Sequence, residues 1–239
     1  DKTREGEMES IRGYITRLRT GELTGVPADL PVILAGDLNL VREDSAAFLA
    51  LQQNTGLRAL PALHLDSLDD YTWRLDASDY SPGRLDYILA GPGLVARHAF
   101  VYKSAEPPSD HLPLVADLAV DADGNGLGDL WERHYFGSTG QSITSDPDRD
   151  GFTNADEQRL GTDPTERGSR PEMVASVADG RLQLGMLGGG PGRPAFRLWR
   201  SDDLLGWQTV PGLWRAGDNL SLGYPTIGRG FFWAELVTE

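Results

Sequence analysis

Residues 32–39, Val32-Ile33-Leu34-Ala35-Gly36-Asp37-Leu38-Asn39, decide how the rest of the chain is read. Four apolar residues bounded by polar neighbours read as a short buried strand, too short for a helix. Gly36 ends that strand and lets the backbone turn close to whatever binds there. Asp37 and Asn39, two residues apart, point to the same side in extended chain. An acid and an amide at the mouth of a sheet can hold a water, a metal or a phosphate. A strand-end Asp also serves as a turn or cap residue, and the stretch alone leaves both readings open.

The chain has 239 residues, room for one large or two to three small domains. A hydrophobic content of 39% with six Trp is ordinary for a folded chain. No apolar run approaches the ~20 residues needed to span a bilayer. The absence of cysteine excludes disulfides and thiolate metal sites. The opening, Asp1-Lys2-Thr3-Arg4-Glu5, enters a helix-like segment with no initiator Met and no signal peptide, and is expected to be a cut through a longer protein. The missing signal peptide therefore carries no information about export.

The net charge of −14 is unevenly placed. Residues 1–118 carry 11 Lys/Arg against 18 Asp/Glu, residues 119–170 carry 5 against 11, and residues 171–239 carry 6 against 7. No segment offers the basic stripe with which proteins grip nucleic acid. A nucleic-acid substrate would need metal ions to offset repulsion, and the acidic middle is suited to holding cations.

Met8, Ile11, Ile15 and Leu18 recur at helical spacing within residues 4–19, predicting an amphipathic helix. Asp44 or Ser45 can cap a second helix through Ala46, Phe48, Leu49 and Leu51, stopped near Gly56. Tyr71-Thr72-Trp73, residues 85–89, Phe100-Val101-Tyr102 and residues 112–118 read as strands, with Ser81-Pro82-Gly83 a turn. Strands mixed with helices predict an α/β or α+β layered domain over residues 1–118, and α+β is the class expected.

Three further groups join Asp37 and Asn39. Asp86 lies in the otherwise apolar strand Arg84-Leu85-Asp86-Tyr87-Ile88-Leu89, where a buried carboxylate is costly without a partner. Asp110 and His111 stand just before the final strand of this region. An Asp bonded to a His fixes the ring's tautomer and favours its charged form, so pairing Asp86 with His111 accounts for both.

Gly36-Asp37-Leu38-Asn39, Arg84-Leu85-Asp86-Tyr87-Ile88 and Ser109-Asp110-His111-Leu112-Pro113 resemble, in order, the last three motifs of the endonuclease/exonuclease/phosphatase family of DNase I-like phosphodiesterases. The resemblance implies a two-layer β-sandwich flanked by helices, with the site at one end. It implies that Asp37 orients or deprotonates the attacking water and that Asn39 bonds a phosphate oxygen. His111, held by Asp86, would stabilise the charge developing on the scissile phosphate. Asp110 would help bind Mg2+ or Mn2+. The family's early Asn, metal-binding Glu and further His or Tyr have no counterpart in residues 1–31. Residues 1–118 are therefore expected to be the C-terminal half of such a domain, with one sheet largely missing and an apolar face exposed, and the chain is expected to be inactive in isolation.

The middle segment carries a second pattern. Asp121-x-Asp123-x-Asn125-Gly126-x-x-Asp129-x-x-Glu132 and Asp146-x-Asp148-x-Asp150-Gly151-x-x-Asn154-x-x-Glu157 fit the EF-hand loop position by position. Positions 1, 3 and 5 give side-chain oxygens, Gly makes the sharp turn, the carbonyl of Leu127 or Phe152 adds a ligand, and the final Glu can bind through both oxygens. Two Ca2+ are expected over residues 119–170. The entering helix of an EF-hand is missing before the first loop. The segment resembles the calcium repeats of dockerins and thrombospondin type 3-like linkers of secreted bacterial proteins, implying an extracellular location.

From Pro171 onward, Leu182-Gln183-Leu184, Phe196-Arg197-Leu198-Trp199, Trp207-Gln208-Thr209-Val210 and Phe231-Phe232-Trp233-Ala234 read as short strands of a small all-β module. Their aromatics are expected in its core. The module is similar to small fibronectin-like C-terminal domains; surface attachment and glycan binding are open to it, and a spacer role is expected.

The expected function is metal-dependent phosphodiester hydrolysis by a secreted endonuclease-like enzyme acting on nucleic acid. Alternatives are a phospholipid or sugar-phosphate phosphodiesterase of the same chemistry, and a calcium-dependent adhesion or scaffold protein with an inactive nuclease half.

Overall fold

The computed structural model of the chain describes residues 2–61, 63–64, 69–73, 82–102, 109–178, 181–187, 195–210, 214–215, 219–225 and 230–237. Ser81, part of the expected turn, lies outside the described residues. The chain divides into two compact units, residues 1–64 with 69–124 and residues 65–68 with 125–239.

The first unit is α+β. Helix α1 (Lys2–Arg19) buries Met8 and Ile15. Strand β1 (Ile33–Asp37) leads to helix α2 (Ala46–Gln52), whose N-cap is Ser45, its Oγ accepting from the Phe48 N–H at 3.2 Å. Asp44, the other expected cap, pairs with Arg42 instead. Then follow β2 (Arg58–Ala59), β3 (Leu63–His64), β4 (Asp86–Ala90), β5 (Leu94–Val101) and β6 (Leu114–Val120). They form two three-stranded sheets, β1-β4-β2 and β3-β5-β6, and β4 packs against β5 and β6. The helices cover one face of the first sheet: Met8, Ile15, Phe48 and Leu51 enclose Tyr87 and Leu89, with Leu34 and Val32 packed alongside.

Three local expectations are corrected. β1 is not a buried strand: only Val32 and Leu34 face the helices, while Ile33 is 52% exposed and Ala35 and Asp37 are open. An edge strand covered on one face buries alternate residues, whatever their polarity. Residues 71–73 form no strand; Trp73 makes single bridges to Gly83 and His111. The short strand expected at 100–102 is the end of β5, which begins at Leu94 and bulges between Ala96 and His98. The polar Arg97 and His98 hide its period from the sequence.

The second unit begins inside the first acidic loop and holds α3 (Asp129–Phe136), α4 (Asn154–Leu160) and strands β7 (Glu172–Ala178), β8 (Arg181–Leu187), β9 (Ala195–Ser201), β10 (Gln208–Thr209), β11 (Trp214–Arg215), β12 (Asn219–Pro225) and β13 (Phe231–Leu236). One sheet runs β12-β8-β7; in the other β9 pairs with β10, β11 and β13. Its core joins Leu160 of α4, with Phe152 beside it, to Leu184, Met186, Phe196 and Leu198. The hydrophobic core thus continues across residue 170, and α4 and the strands fold as one body.

Candidate functional site

The register of β1 on β4 builds the site. Antiparallel pairing sets Leu34 opposite Leu89 and Gly36 opposite Tyr87 on the helix-covered face. The alternate positions face the other way: Ile33 against Ala90, Ala35 against Ile88, and Asp37 against Asp86. An apolar ladder therefore ends in two opposed carboxylates, an arrangement that is destabilising without a counter-charge.

His111 supplies that counter-charge. Its Nδ1 lies 2.8 Å from Asp86 Oδ2. The hydrogen bond to Asp86 holds the His111 pKa above its ordinary value against partial burial, with the charges of Asp86, Asp37 and Asp110 adding to it. Because Nδ1 is engaged by Asp86, Nε2 is the nitrogen left for other partners.

Asn39 reaches the same place by another route than expected. It is not extended: its φ of 52° puts it in the left-handed region, which Asn tolerates better than most residues. Its backbone N–H donates to Asp37 Oδ1 at 2.9 Å and its side-chain amide to Asp37 Oδ2 at 3.2 Å. The strand itself runs on through Gly36, whose φ of 148° needs glycine, to Asp37. The loop is pinned from below by the buried Tyr87, whose hydroxyl donates to the Leu40 carbonyl at 2.7 Å. Burial pushes that hydroxyl's pKa up to about 12, so it stays a donor. The Arg84 guanidinium lies over the same ring, 4.6 Å from its centre, and pairs with Glu43 at 3.1 Å.

Two residues outside the sequence-based set hold these groups together. Thr72 is fully buried; its Oγ accepts from the backbone N–H groups of Leu85 and Asp86 at 3.0 and 2.9 Å. Its carbonyl accepts from the Leu112 N–H at 2.6 Å. Thr72 thereby fastens the start of β4 to the segment carrying His111. Trp73 Nε1 donates to Asp110 Oδ2 at 3.1 Å, and that bond is the main cause of the lowered Asp110 pKa. The signal in the sequence was a polar residue inside the run Tyr71-Thr72-Trp73, which a strand assignment leaves unused. Among the described residues Asp110 belongs to no cluster of three metal-ligating side chains. It offers one ionised, exposed carboxylate, enough for a Mg2+ that keeps waters and takes further oxygens from a phosphate.

The acidic loops are organised by their own first residues. Asp121 Oδ1 accepts from the Gly124 N–H, and Asp146 accepts from the N–H groups of Arg149, Asp150 and Gly151. The sixth positions, Gly126 and Gly151, have φ of 92° and 101°. Carboxylate oxygens of Asp121, Asp123 and Asp129 lie within 4.8 Å of one another, as do those of Asp146, Asp148 and Asp150. Asn125 and Asn154 sit beside them: Asn125 Oδ1 accepts from the Leu127 N–H, and Asn154 opens α4. The side chain of Leu127 is buried, and that of Phe152 packs against the core of the second unit.

The two terminal glutamates, Glu132 and Glu157, are completely buried. One oxygen of each is bonded, Glu132 Oε1 to the Gln141 N–H at 2.7 Å and Glu157 Oε1 to Thr162 Oγ1 at 3.3 Å. The second oxygens, with Asp148 Oδ2 and Asp150 Oδ2, are buried without a hydrogen-bond donor. Burial and then the charges of Asp148 and Asp150 push the Glu157 carboxyl up to about 8. Unpaired buried carboxylate oxygens are costly, and a hard divalent cation is the group that satisfies several at once.

Residues 12–111 match the model of the Endonuclease/Exonuclease/phosphatase family, somewhat less than half of the chain. That family's members are generally hydrolases of phosphodiesters or phosphate esters. The crystal structure of an endonuclease/exonuclease/phosphatase from Beutenbergia cavernae DSM 12333 aligns with 94% of this chain at 17% identity and a TM-score of 0.30. The chain spans 59% of that protein. No curated protein matches the chain.

The raised His111 pKa has a consequence for stability. A group whose folded pKa exceeds its ordinary 6.5 stabilises fully below that value and loses its contribution as pH rises through the folded pKa. In metal-free protein, His111→Ala should cost more unfolding free energy at about pH 5.5 than at about pH 9. Urea titrations at both pH values check this, and an equal cost at both would contradict it.

Proposed function

We propose that residues 1–118 contribute a divalent-metal-dependent phosphodiesterase site of the secreted endonuclease kind, and that residues 119–170 bind two Ca2+. The observation that carries the first part is the meeting of Asp37, Asp86 and His111 inside the segment that matches the family. On this reading Asp37 accepts a proton from the attacking water, which it can approach because its position on β1 is open to solvent. The Asn39 amide, already donating one N–H to Asp37, offers its second N–H to a phosphate oxygen. His111, kept charged by Asp86, donates from Nε2 to the same phosphate as negative charge builds there. Asp110, positioned by Trp73, is the anchor for Mg2+ or Mn2+, which would polarise the phosphate and offset charge. Residues 1–118 carry 18 acidic against 11 basic side chains, so a nucleic-acid substrate depends on such a metal.

For the second part, the carrying observation is the set of buried, donorless oxygens on Glu132, Asp148, Asp150 and Glu157. These are the residues an EF-hand-like loop assigns to calcium. Calcium modules of extracellular proteins work at millimolar concentration, which supports secretion.

With Mg2+, a chain extended upstream should cleave DNA, and His111→Ala should lower the rate by about 10²–10⁴-fold, as loss of a proton donor does. The 239-residue chain should be slow by comparison. A panel of DNA, RNA, a phospholipid and a sugar phosphodiester reports the substrate class. Cleavage that survives both His111→Ala and Asp37→Ala would refute the assignment. Robust turnover by the 239-residue chain alone would overturn the claim that its site is incomplete.

Calcium binding is checked by calorimetry. Two equivalents of Ca2+ should bind, and Glu157→Gln should abolish or strongly weaken one. Because Leu160 and Phe152 pack with β8 and β9, chelation should also lower the melting temperature of the β-rich unit. Identical melting with and without chelator would contradict the reading.

A further inference from the structure

We propose that the outward face of β9, β10 and β13 binds a neutral polysaccharide, with Trp199, Trp233 and Trp207 as its stacking surface. Strand alternation makes the face. Phe196 and Leu198 of β9 point into the core with Phe232, Ala234 and Leu236 of β13 nearby. Arg197 and Trp199, and Phe231, Trp233 and Glu235, therefore point outward. The expectation that these aromatics form the core holds for the phenylalanines at 196 and 232 and fails for the tryptophans.

Trp199 and Trp233 are direct partners across the two strands. Their rings are parallel to within 8°, with centres 6.1 Å apart. Trp207 meets Trp233 at 87° with centres 6.4 Å apart, so the three indoles form a corner. Trp233 is 43% exposed and Phe231 37%, although hydrophobic burial favours hiding both. Beside Trp207 lies a cavity of about 320 Å³ lined by Arg200, Asp202, Asp203 and Gln208. Its rim is held in place: Asp203 Oδ1 accepts from Ser201 Oγ and from the Leu205 and Gly206 N–H groups at 2.8–3.1 Å.

Arg197 on this face and Arg200 at the neighbouring cavity are each paired with a carboxylate, which argues against an anionic ligand. Arg197 pairs with Glu235 at 3.4 Å, and Arg200 with Asp202 at 2.6 Å. Glu235 also accepts from Trp199 Nε1 at 2.9 Å. With Arg197 and Arg200 outnumbered by Glu235, Asp202 and Asp203, the charge balance does not attract phosphate, and the face suits a neutral molecule with an apolar side for the indoles and a polar edge for the cavity. A sugar ring has both, its C–H face stacking on aromatics and its hydroxyls donating to carboxylates and amides. A proline-rich peptide also stacks on indoles but brings few donors for Asp202, Asp203 and Gln208.

The full chain with Ca2+ can be mixed with insoluble cellulose, chitin or starch and its depletion from solution measured. Retention on at least one polysaccharide is expected, unaffected by 0.5 M salt as befits an uncharged ligand (roughly a 4–5 Å screening length). Trp233→Ala should weaken it about tenfold, the usual effect of removing a central aromatic anchor. Trp207→Ala, which removes the indole that meets Trp233, should weaken it measurably too. Failure to bind any of the three polymers would overturn the proposal. So would retention unchanged in both variants, or retention that salt abolishes.

Discussion

The pairing of β1 with β4 puts Asp37 directly against Asp86, and the first unit is arranged around that conflict. Two carboxylates at opposed positions repel, and neither can move without shifting a strand whose other face packs on the helices. His111 resolves it by hydrogen-bonding Asp86 while standing in the field of Asp37. What would be a defect in a structural sheet becomes an imidazole of raised pKa, with Nε2 left for other partners, beside an exposed carboxylate. The supports are buried: Thr72 ties β4 to the His111 segment, and Tyr87 ties the Asn39 loop to the core.

The acidic loops pose the same problem with a different answer. Backbone N–H groups hold one oxygen of Asp148, Asp150 and Glu132, and the Thr162 hydroxyl holds one of Glu157, leaving the second oxygen of each buried without a donor. Among the described residues no basic side chain pairs with these oxygens. On the proposed reading, repulsion balanced by a resident imidazole serves chemistry, whereas repulsion left for a diffusible cation would make folding depend on that cation. Since α4 shares its core with β8 and β9, such dependence extends to the tryptophan-bearing face of the same unit.

Much of this was legible in the sequence, for reasons that differ by residue. Asp86 and His111 could be paired because an acid inside an apolar strand demands a partner. The loops could be read because glycine at the sixth position and acids at alternate ones leave few other folds. The exposure of Ile33 was not legible, since an apolar residue on an edge strand looks the same whether or not anything covers it. The turn at Asn39 was missed because its left-handed backbone is stabilised by a side chain, not by a glycine. Thr72 and Trp73 were missed because their roles are to bridge segments distant in sequence. The outward tryptophans are not legible as surface residues, because composition does not record which way a strand's side chains alternate.

The central claim is that Asp86 and Asp37 together keep His111 charged. NMR titration of the His111 ring in metal-free protein tests it most directly, in the wild type, in Asp37→Asn, in Asp86→Asn and in the double variant. The account predicts a wild-type pKa above the ordinary 6.5, a fall in each single variant that is larger for Asp86→Asn, and the lowest value in the double. A His111 that titrates at or below its ordinary value in the wild type, or that ignores both substitutions, would contradict it.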